Sequence, residues 1–392
     1  MVGGSLGLTK RRRIMTRRIG IGMVGTGYLA KAYALGYRSA PIVFGPDCGI
    51  PELVSVCTSS PAGGAKAAQA LGFARGAADW QEVVADPAVE VVVVNTPNHL
   101  HAPVAMAAIQ AGKHVHCEKP LGLDPAECRE LTEAAEKARL RTIVGFNYRQ
   151  NPATSLAREI IQSGEIGEPI SIRATHNEDF MADPDLPLGW KHRKATAGHG
   201  ALVDVGSHIV CIAQYLLGPI AKVSGQLRTV HRTRPVAPGA TERGPVETDD
   251  EARFLVEFAS GVGGMIEASR IATGRKMQLG YEVYGTKGSL CFDQQRMSEL
   301  HLYEAAGPLG RRGFKTIPIA AEHPDYGAFG AGPGHGVGFN DQKIVECRRF
   351  LEAIASGSRA SPDFREAWQI GEVLDAVARS AASGTWEDVP AV

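Results

Sequence analysis

The sequence predicts an α/β N-terminal domain built on a parallel sheet, followed by an α+β C-terminal domain with a large, mostly antiparallel open sheet. Three observations carry this. Up to about residue 150, short continuous apolar runs alternate with helical patterns, as strands buried on both faces do. From about residue 168, strand-like runs follow one another with little helix between. The chain has 392 residues, which at roughly 100–200 residues per domain is enough for two cores or three. The expected divisions are a tail over 1–18, a first domain over 19–147 and a second over 148–392, whose closing helices return to the first.

The tail holds Lys10, Arg11, Arg12, Arg13, Arg17 and Arg18 and no acid. Taking these six from 42 basic residues leaves 36 against 42 acidic in the rest. It is expected to be a disordered basic arm, or an upstream extension of a chain starting at Met15. Thr16-Arg17-Arg18 before an apolar run imitates a twin-arginine export signal. Cleavage there would remove the first strand and its glycine turn, so that reading is set aside. IGIGMV (19–24) is the first strand, with YLAKAYALGYR the helix behind it. SAPIVFGPDCGIP (39–51) reads as an inserted loop. LVSVC (53–57), VVVVN (91–95), 114–117 and 143–146 continue the sheet, with helices over 62–71, 101–111 and 124–139. In the second half ISIRATH, VSGQLRTVH, ARFLVEF, GGMIEASR, YEVYG, SLCF and ELHLYE are strands. One helix (204–217) interrupts them and two (340–355, 362–383) close the chain, while 233–245 and 326–339 read as Pro/Gly-rich loops.

A formal net charge of zero gives no electrostatic footprint for nucleic acid or an anionic membrane. No apolar stretch reaches the roughly 18 residues of a membrane-spanning helix. Seven cysteines, odd in number and without a CxxC, suit reduced thiols in the cytoplasm.

GTGYLA places Gly25, Thr26, Gly27, Tyr28 and Leu29 directly after a strand and at a helix start. Gly25 allows the tight turn, Gly27 lets the backbone approach a pyrophosphate, and the helix N-terminus offers amides and partial positive charge. This is the dinucleotide-binding fingerprint of a Rossmann domain in its confirming strand–turn–helix context. Thr58 and Ser59 stand where an acid usually takes the ribose hydroxyl, 33 residues after Gly25 rather than the usual ~20. With no acid there, the sequence leaves NAD against NADP open. Thr96-Pro97-Asn98 and Glu118-Lys119 end two further strands, so both face the cofactor crevice of an open parallel sheet. His101 is read as a helix-start residue near that crevice. A strand-end lysine is ordinarily a solvated charge, but Lys119 between Glu118 and Pro120 can donate to a substrate oxygen, its pKa tuned by the acid and by burial.

Together GTGYLA, NTPNHLH, AGKHVHCEKPL, GFNYRQNPA, AGHGALVDVGSH and YGTKGSL resemble the Gfo/Idh/MocA oxidoreductases, the glucose–fructose oxidoreductase and inositol dehydrogenase group. The resemblance runs from about residue 19 to the closing helices, and EKP with a downstream D-x-x-x-H is its specific part. EDFMADPDLPLGW, TRPVAPGATER and GRKMQL look most like sugar, cyclitol or anhydrosugar dehydrogenases. The resemblance implies Lys119, Asp204 and His208 as catalytic. Taken alone, Asp204 and His208 read as a helix N-cap and a structural histidine. On one helix face, however, the histidine would take the hydroxyl proton lost in hydride transfer while the carboxylate beside it fixed its tautomer. Asn147 and Arg149 are implied near the cofactor or the domain junction, and Tyr148 facing substrate. Asp179 and Trp190 are candidate polyol contacts, an acid for hydroxyls and a ring for C–H faces. Two positions depart from the family pattern: His199 replaces a glycine before the catalytic helix, and Cys211 replaces the acid of H-x-x-D. No ligand set for a metal is present.

The function expected is NAD(P)-dependent oxidation of a secondary alcohol on a sugar, cyclitol or anhydrosugar, or the reverse reduction. The alternatives are an NAD-using glycoside hydrolase on the same scaffold and a non-catalytic nucleotide- or sugar-sensing regulator. The open sheet face suggests a homodimer or homotetramer.

Overall fold

The computed structural model describes residues 17–392. β1 (Arg18–Val24), β2 (Ile50–Cys57), β3 (Arg75–Ala77), β4 (Val91–Val94), β5 (His114–Cys117) and β6 (Thr142–Val144) form a parallel sheet in the order β3-β2-β1-β4-β5-β6. The strand order reverses between β1 and β4, and the crevice beyond their carboxyl ends is where such sheets bind nucleotides. α1 (Tyr28–Phe44), α2 (Pro61–Leu71), α3 (Trp80–Ala85), α4 (His101–Gln110) and α5 (Pro125–Lys137) fill the crossovers. β4 shows why its sequence is four valines: Val91 and Val93 enter the core shared with α1, Val92 and Val94 that shared with α4 and α5. Both faces are covered, so no position can be polar.

α6 (Pro152–Gln162) leads to the second domain, where β7 (Pro169–Asn177) is followed by three short helices, α7 (Lys194–Ala197), α8 (Ala201–Asp204) and α9 (Gly206–Leu217). Then come β8 (Ile220–Arg228), a small hairpin of β9 (Thr233–Pro235) and β10 (Arg243–Pro245), β11 (Glu251–Phe258), β12 (Gly263–Ser269), β13 (Gln278–Gly285), β14 (Gly288–Asp293), β15 (Glu299–Glu304) and β16 (Lys315–Pro318). The helices α10 (Phe339–Ser356) and α11 (Phe364–Ser383) and the short β17 (Glu387–Asp388) end the chain. Nine strands form one sheet in the order β16-β15-β14-β13-β7-β12-β11-β8-β17, antiparallel except for β7 with β12. β11 alternates strictly: Ala252, Phe254, Val256 and Phe258 are buried, while Arg253, Leu255 and Glu257 face out. α9, α11 and α6 pack on the buried face.

α10 crosses back onto α1. Gly36 makes the approach feasible, since a Cβ there would lie 2.8 Å from Cys347 Sγ and 3.1 Å from the Lys343 carbonyl.

Two expectations need correction. Residues 39–51 are not an inserted loop: α1 runs to Phe44 through Pro41, which falls in its last turn, and β2 begins at Ile50. Residues 204–217 are not one helix, for a reason given below. The basic arm lies outside the described residues, except that Arg17 and Arg18 pair with Glu90 and Glu52, and Arg18 opens β1.

Candidate active site

The glycine turn between β1 and α1 is built for close approach. Gly25 has φ +98°, and a Cβ on it would come 2.0 Å from the Asn95 carbonyl. Its amide donates to Cys57 O at 3.1 Å, tying the turn to the end of β2. A Cβ on Gly27 would meet nothing within 4 Å, because the space before it is a cleft of about 500 Å³. That cleft is walled by residues 25–29, the Asn95–Asn98 turn, His101, Glu118, Lys119, Trp190, Lys191 and Asp204. A bare Cα facing open room, with the α1 N-terminus behind it, fits the pyrophosphate of a dinucleotide.

A second cleft of about 500 Å³ lies between the domains, lined by Asn147, Tyr148, His176, Glu178, Phe180, Val205, His208, Met277, Gln294, Met297 and Phe339. Tyr28, Leu29, Glu118, Lys119, Lys191 and Asp204 wall both clefts. Lys119 and Asp204 therefore stand where the two meet, and His208 lines the second cleft beside them.

Asp204 is held by two ammonium groups. Lys119 Nζ donates to Oδ1 at 3.0 Å and to the Asp204 carbonyl at 2.6 Å, and Lys191 Nζ donates to Oδ2 at 2.7 Å. Burial alone would raise this carboxyl, but Lys119 and Lys191 hold it well below the usual range, so it is ionised. The main-chain bond explains the helix break. In a continuous helix the Asp204 carbonyl would accept from His208 N–H. Here Lys119 takes it, and His208 N–H turns to Val205 O at 3.2 Å. Lys194–Asp204 and Gly206–Leu217 meet at 49° across Val205.

His208 is buried, edge-on to the rings of Tyr148 (4.7 Å) and Phe146 (5.6 Å). Its Nδ1 has no hydrogen-bond partner among the described residues. Asp204 makes no bond to it, so the expectation that this carboxylate fixes the ring's tautomer is not met: both Asp204 oxygens are taken by lysines. The neighbour of His208 is His176, 5.6 Å away between centroids. The nitrogens of His176 face Val205 O and Glu178 Oε1, each at 2.9 Å. Burial first, then Lys119, His176 and Lys343, push His208 well below the ordinary histidine value and leave it neutral, able to accept a proton.

Of the other expected residues, Thr96, Pro97, Asn98 and His101 line the first cleft. His101 is buried, its ring nitrogens 2.9 Å from Thr96 O and 2.6 Å from Pro120 O, so that its one N–H donates to one of the two strand-end turns while the ring packs between them. Asn147 and Tyr148 line the second cleft, whereas Trp190 lies on the nucleotide side. Thr58 and Ser59 stand beyond β2, outside both linings; Thr58 Oγ1 donates to Ser60 O at 2.8 Å. Arg149 turns away to the domain junction, pairing with Glu366 at 2.8 Å and stacking 4.2 Å over Tyr215. Asp179 is likewise out of the cleft, bonded to Lys276 at 2.7 Å and to the Gly274 amide at 3.1 Å.

Both departures from the family pattern have structural partners. His199 lies 3.7 Å from Asp249, whose carboxylate receives the amides of Gly200 and Leu202 at the start of α8. Cys211 lies beside Arg149, for which Glu366 of α11 supplies the acid. Sequence reasoning missed Lys191, His176 and Glu178. Among the described residues, no three His, Cys, Asp or Glu side chains group as metal ligands, and no single helix is long and apolar enough to cross a membrane.

A cleft shaped for a dinucleotide, sharing a wall with one that holds a lysine, a carboxylate and a neutral histidine, is what an NAD-binding oxidoreductase presents. Residues 19–146 match the oxidoreductase family with an NAD-binding Rossmann fold, and residues 154–291 match the GFO/IDH/MocA C-terminal domain. The chain belongs to the Gfo/Idh/MocA family. It is 37% identical to levoglucosan dehydrogenase of Pseudarthrobacter phenanthrenivorans over 391 residues, covering 96% of this chain and 99% of that protein. The structure of a levoglucosan dehydrogenase in complex with NADH and levoglucosan superposes with a TM-score of 0.93 at 38% identity, over 96% of this chain and all of that one. The scyllo-inositol 2-dehydrogenase (NAD(+)) of Bacillus subtilis is 29% identical over 79% of this chain and 80% of its own. These relatives are dehydrogenases by name, which favours hydride transfer over the hydrolase and regulator alternatives.

Proposed function

We propose that this protein oxidises a secondary hydroxyl of an anhydrosugar of the levoglucosan kind, with NAD as the cofactor. The observation that carries this is the near end-to-end likeness to levoglucosan dehydrogenase in a chain whose lysine, carboxylate and histidine line one cleft, the first two on the wall it shares with the other. In this reading the nicotinamide supplies the hydride acceptor. Lys119 donates a hydrogen bond to the substrate oxygen and offsets its developing charge. His208, neutral and buried, takes the hydroxyl proton. Asp204 orients Lys119 and Lys191 rather than the histidine. Tyr148 and the pairs around His176 shape the cavity that receives the sugar.

The test is a dehydrogenase screen over levoglucosan, inositols and common hexoses, with NAD and NADP in parallel. Levoglucosan is expected to give the highest kcat/KM; turnover of inositols or hexoses alone would overturn the substrate proposal. The same screen reads cofactor choice. No carboxylate follows β2 to repel a 2′-phosphate, so the preference for NAD should be modest, about 1–3 kcal/mol, the scale of one polar contact. A preference above ~10⁴-fold, about 5.5 kcal/mol, would mean that the ribose is read elsewhere.

We further propose that the chain self-associates through the open face of the large sheet. Leu255 and Met265 are adjacent partners on β11 and β12, each about half exposed there (48% and 49%), an apolar pair that a second subunit would cover. Sedimentation should give a multiple of 41.6 kDa, reduced by Leu255→Glu; a monomeric wild type overturns this. Seven free cysteines, six of them buried, support a reducing cytoplasmic setting.

A further inference from the structure

Beneath the turn that carries Lys119 lies a fully buried polar cluster that the hydride-transfer reading does not use. Its centre is Lys343 on α10, which has no exposed surface. The ammonium donates to Glu118 Oε1 at 2.8 Å, Glu346 Oε1 at 2.9 Å and Tyr33 OH at 3.1 Å. A buried ammonium is costly unless each of its three donors finds an acceptor, and here each does. Tyr33 OH also donates to Glu118 Oε1, at 2.6 Å. The other oxygen, Oε2, accepts the backbone N–H of Lys119 at 3.2 Å. Room for this is made by Gly145 after β6: a Cβ there would lie 2.6 Å from Glu118 Oε1 and 2.7 Å from Tyr33 OH. Behind Lys343, His116 Nε2 meets Glu346 at 3.0 Å and Tyr37 OH meets His116 Nδ1 at 2.8 Å. Glu118 itself walls both clefts.

We propose that Lys343 is a positioning residue for hydride transfer: from α10 it fixes the Glu118 carboxylate, and through it the turn that aims Lys119 into the cleft. The inference rests on the reading of Lys119 as the group that binds the substrate oxygen. Glu118 faces Lys343 and, through it, Glu346 from α10, Tyr33 from α1, His116 from β5 just before it, Lys119 beside it, His101 from α4 and Tyr148 from the cleft wall. Burial raises its carboxyl, but the Lys343 ammonium, the Tyr33 hydroxyl and Lys119 outweigh burial and keep it ionised. Without Lys343, burial is left to dominate, and the carboxyl takes up a proton at a pH where it is now charged. Oε2 then competes as an O–H donor and holds the Lys119 amide less well.

Lys343→Met should therefore lower kcat by roughly 10- to 100-fold, the scale of a small misplacement of a catalytic group. It should also add a second acid limb to the pH–rate profile, at higher pH than the one wild type owes to His208. Lys343→Met/Glu118→Gln, which has no carboxyl to protonate, should lose that limb. Difference infrared spectra should show a carboxylic-acid carbonyl band in Lys343→Met that the double variant lacks. A purely structural lysine would lower melting temperature and active fraction and move only the His208 limb, by the same amount in the single and the double variant. If Lys343→Met does not fold, Tyr33→Phe removes the other side-chain donor to Oε1 with little change of shape, and the same limb is expected with a smaller shift. A superimposable profile and unchanged kcat in the folded variant overturn the proposal. Lys119→Ala is the control: full activity there sinks the reading of Lys119, whereas an inactive Lys119→Ala beside a normal Lys343→Met sinks this inference alone.

Discussion

Lys119→Ala is expected to lower kcat by roughly 10²–10⁴, with nucleotide affinity by fluorescence titration little changed. Lys119 stands on the wall common to both clefts, and its ammonium reaches Asp204 through both the carboxylate and the carbonyl. Lys191 does not replace it, because its ammonium bonds the other carboxylate oxygen and not the Asp204 carbonyl. The loss should exceed that of one hydrogen bond because it also releases the Asp204 carbonyl. That carbonyl is then free to accept from His208 N–H, closing the bend at Val205 and turning the His208 ring from its place. A structure of the variant should show a continuous helix across residues 201–217. Lys119→Ala/Asp204→Asn should be little worse than the poorer single variant, as for groups acting as a unit. Near-normal kcat in Lys119→Ala would return this lysine to an ordinary strand-end charge.

The parallel sheet was legible because burial on both faces leaves a strong trace: VVVV admits no other placement. β3 and α3 left no such trace. RGA is three residues with no apolar run, and WQEVVA is less than two turns. α6 was missed although Ala153, Ala157, Ile160 and Ile161 form its buried stripe, because a 3-10 turn over Asn147–Gln150 runs into it with no spacer. Lys119 and His208 were readable as motif residues. The role expected of Asp204 was not, since D-x-x-x-H spacing assumes a continuous helix. The bend arises from Lys119, 85 residues away, and no local pattern encodes that bond. Lys191, His176 and Glu178 were equally hidden. Their only local signal is a polar residue among strand or aromatic neighbours, and what gives them meaning is the cleft that the second domain closes. Arg149 and Asp179 show the converse, charged residues in suggestive segments whose partners, Glu366 and Lys276, lie away from the cleft.

His208→Ala should lower kcat by roughly 10²–10⁴ as well, and its pH behaviour separates it from Lys119. In wild type, burial first, then the Lys119 and Lys343 ammonium groups, hold the histidine well below its ordinary value of 6.5, so it is already the free base near neutrality. The rate should therefore be flat in this group from about pH 6.5 upward and fall with unit slope only at lower pH. An acid limb centred near 6.5 in wild type would contradict the burial argument. The same shift acts on stability, with a definite sign. The unfolded chain binds a proton at His208 as pH falls through 6.5 and the native state does not, so stability present above that pH is lost below it, until the native pKa is reached. One such group contributes a slope of at most about 1.4 kcal/mol per pH unit in that window. His101 and His116 are also depressed by burial and stay in the variant, as do His114 and His192, each lowered to about 4. His208→Ala should thus still lose stability on acidification, but less steeply than wild type by up to one proton's worth. Urea titrations at stepped pH measure that difference without substrate or nucleotide. Equal slopes, together with kcat near that of wild type, would leave His208 a packed ring and remove the proton acceptor from the mechanism.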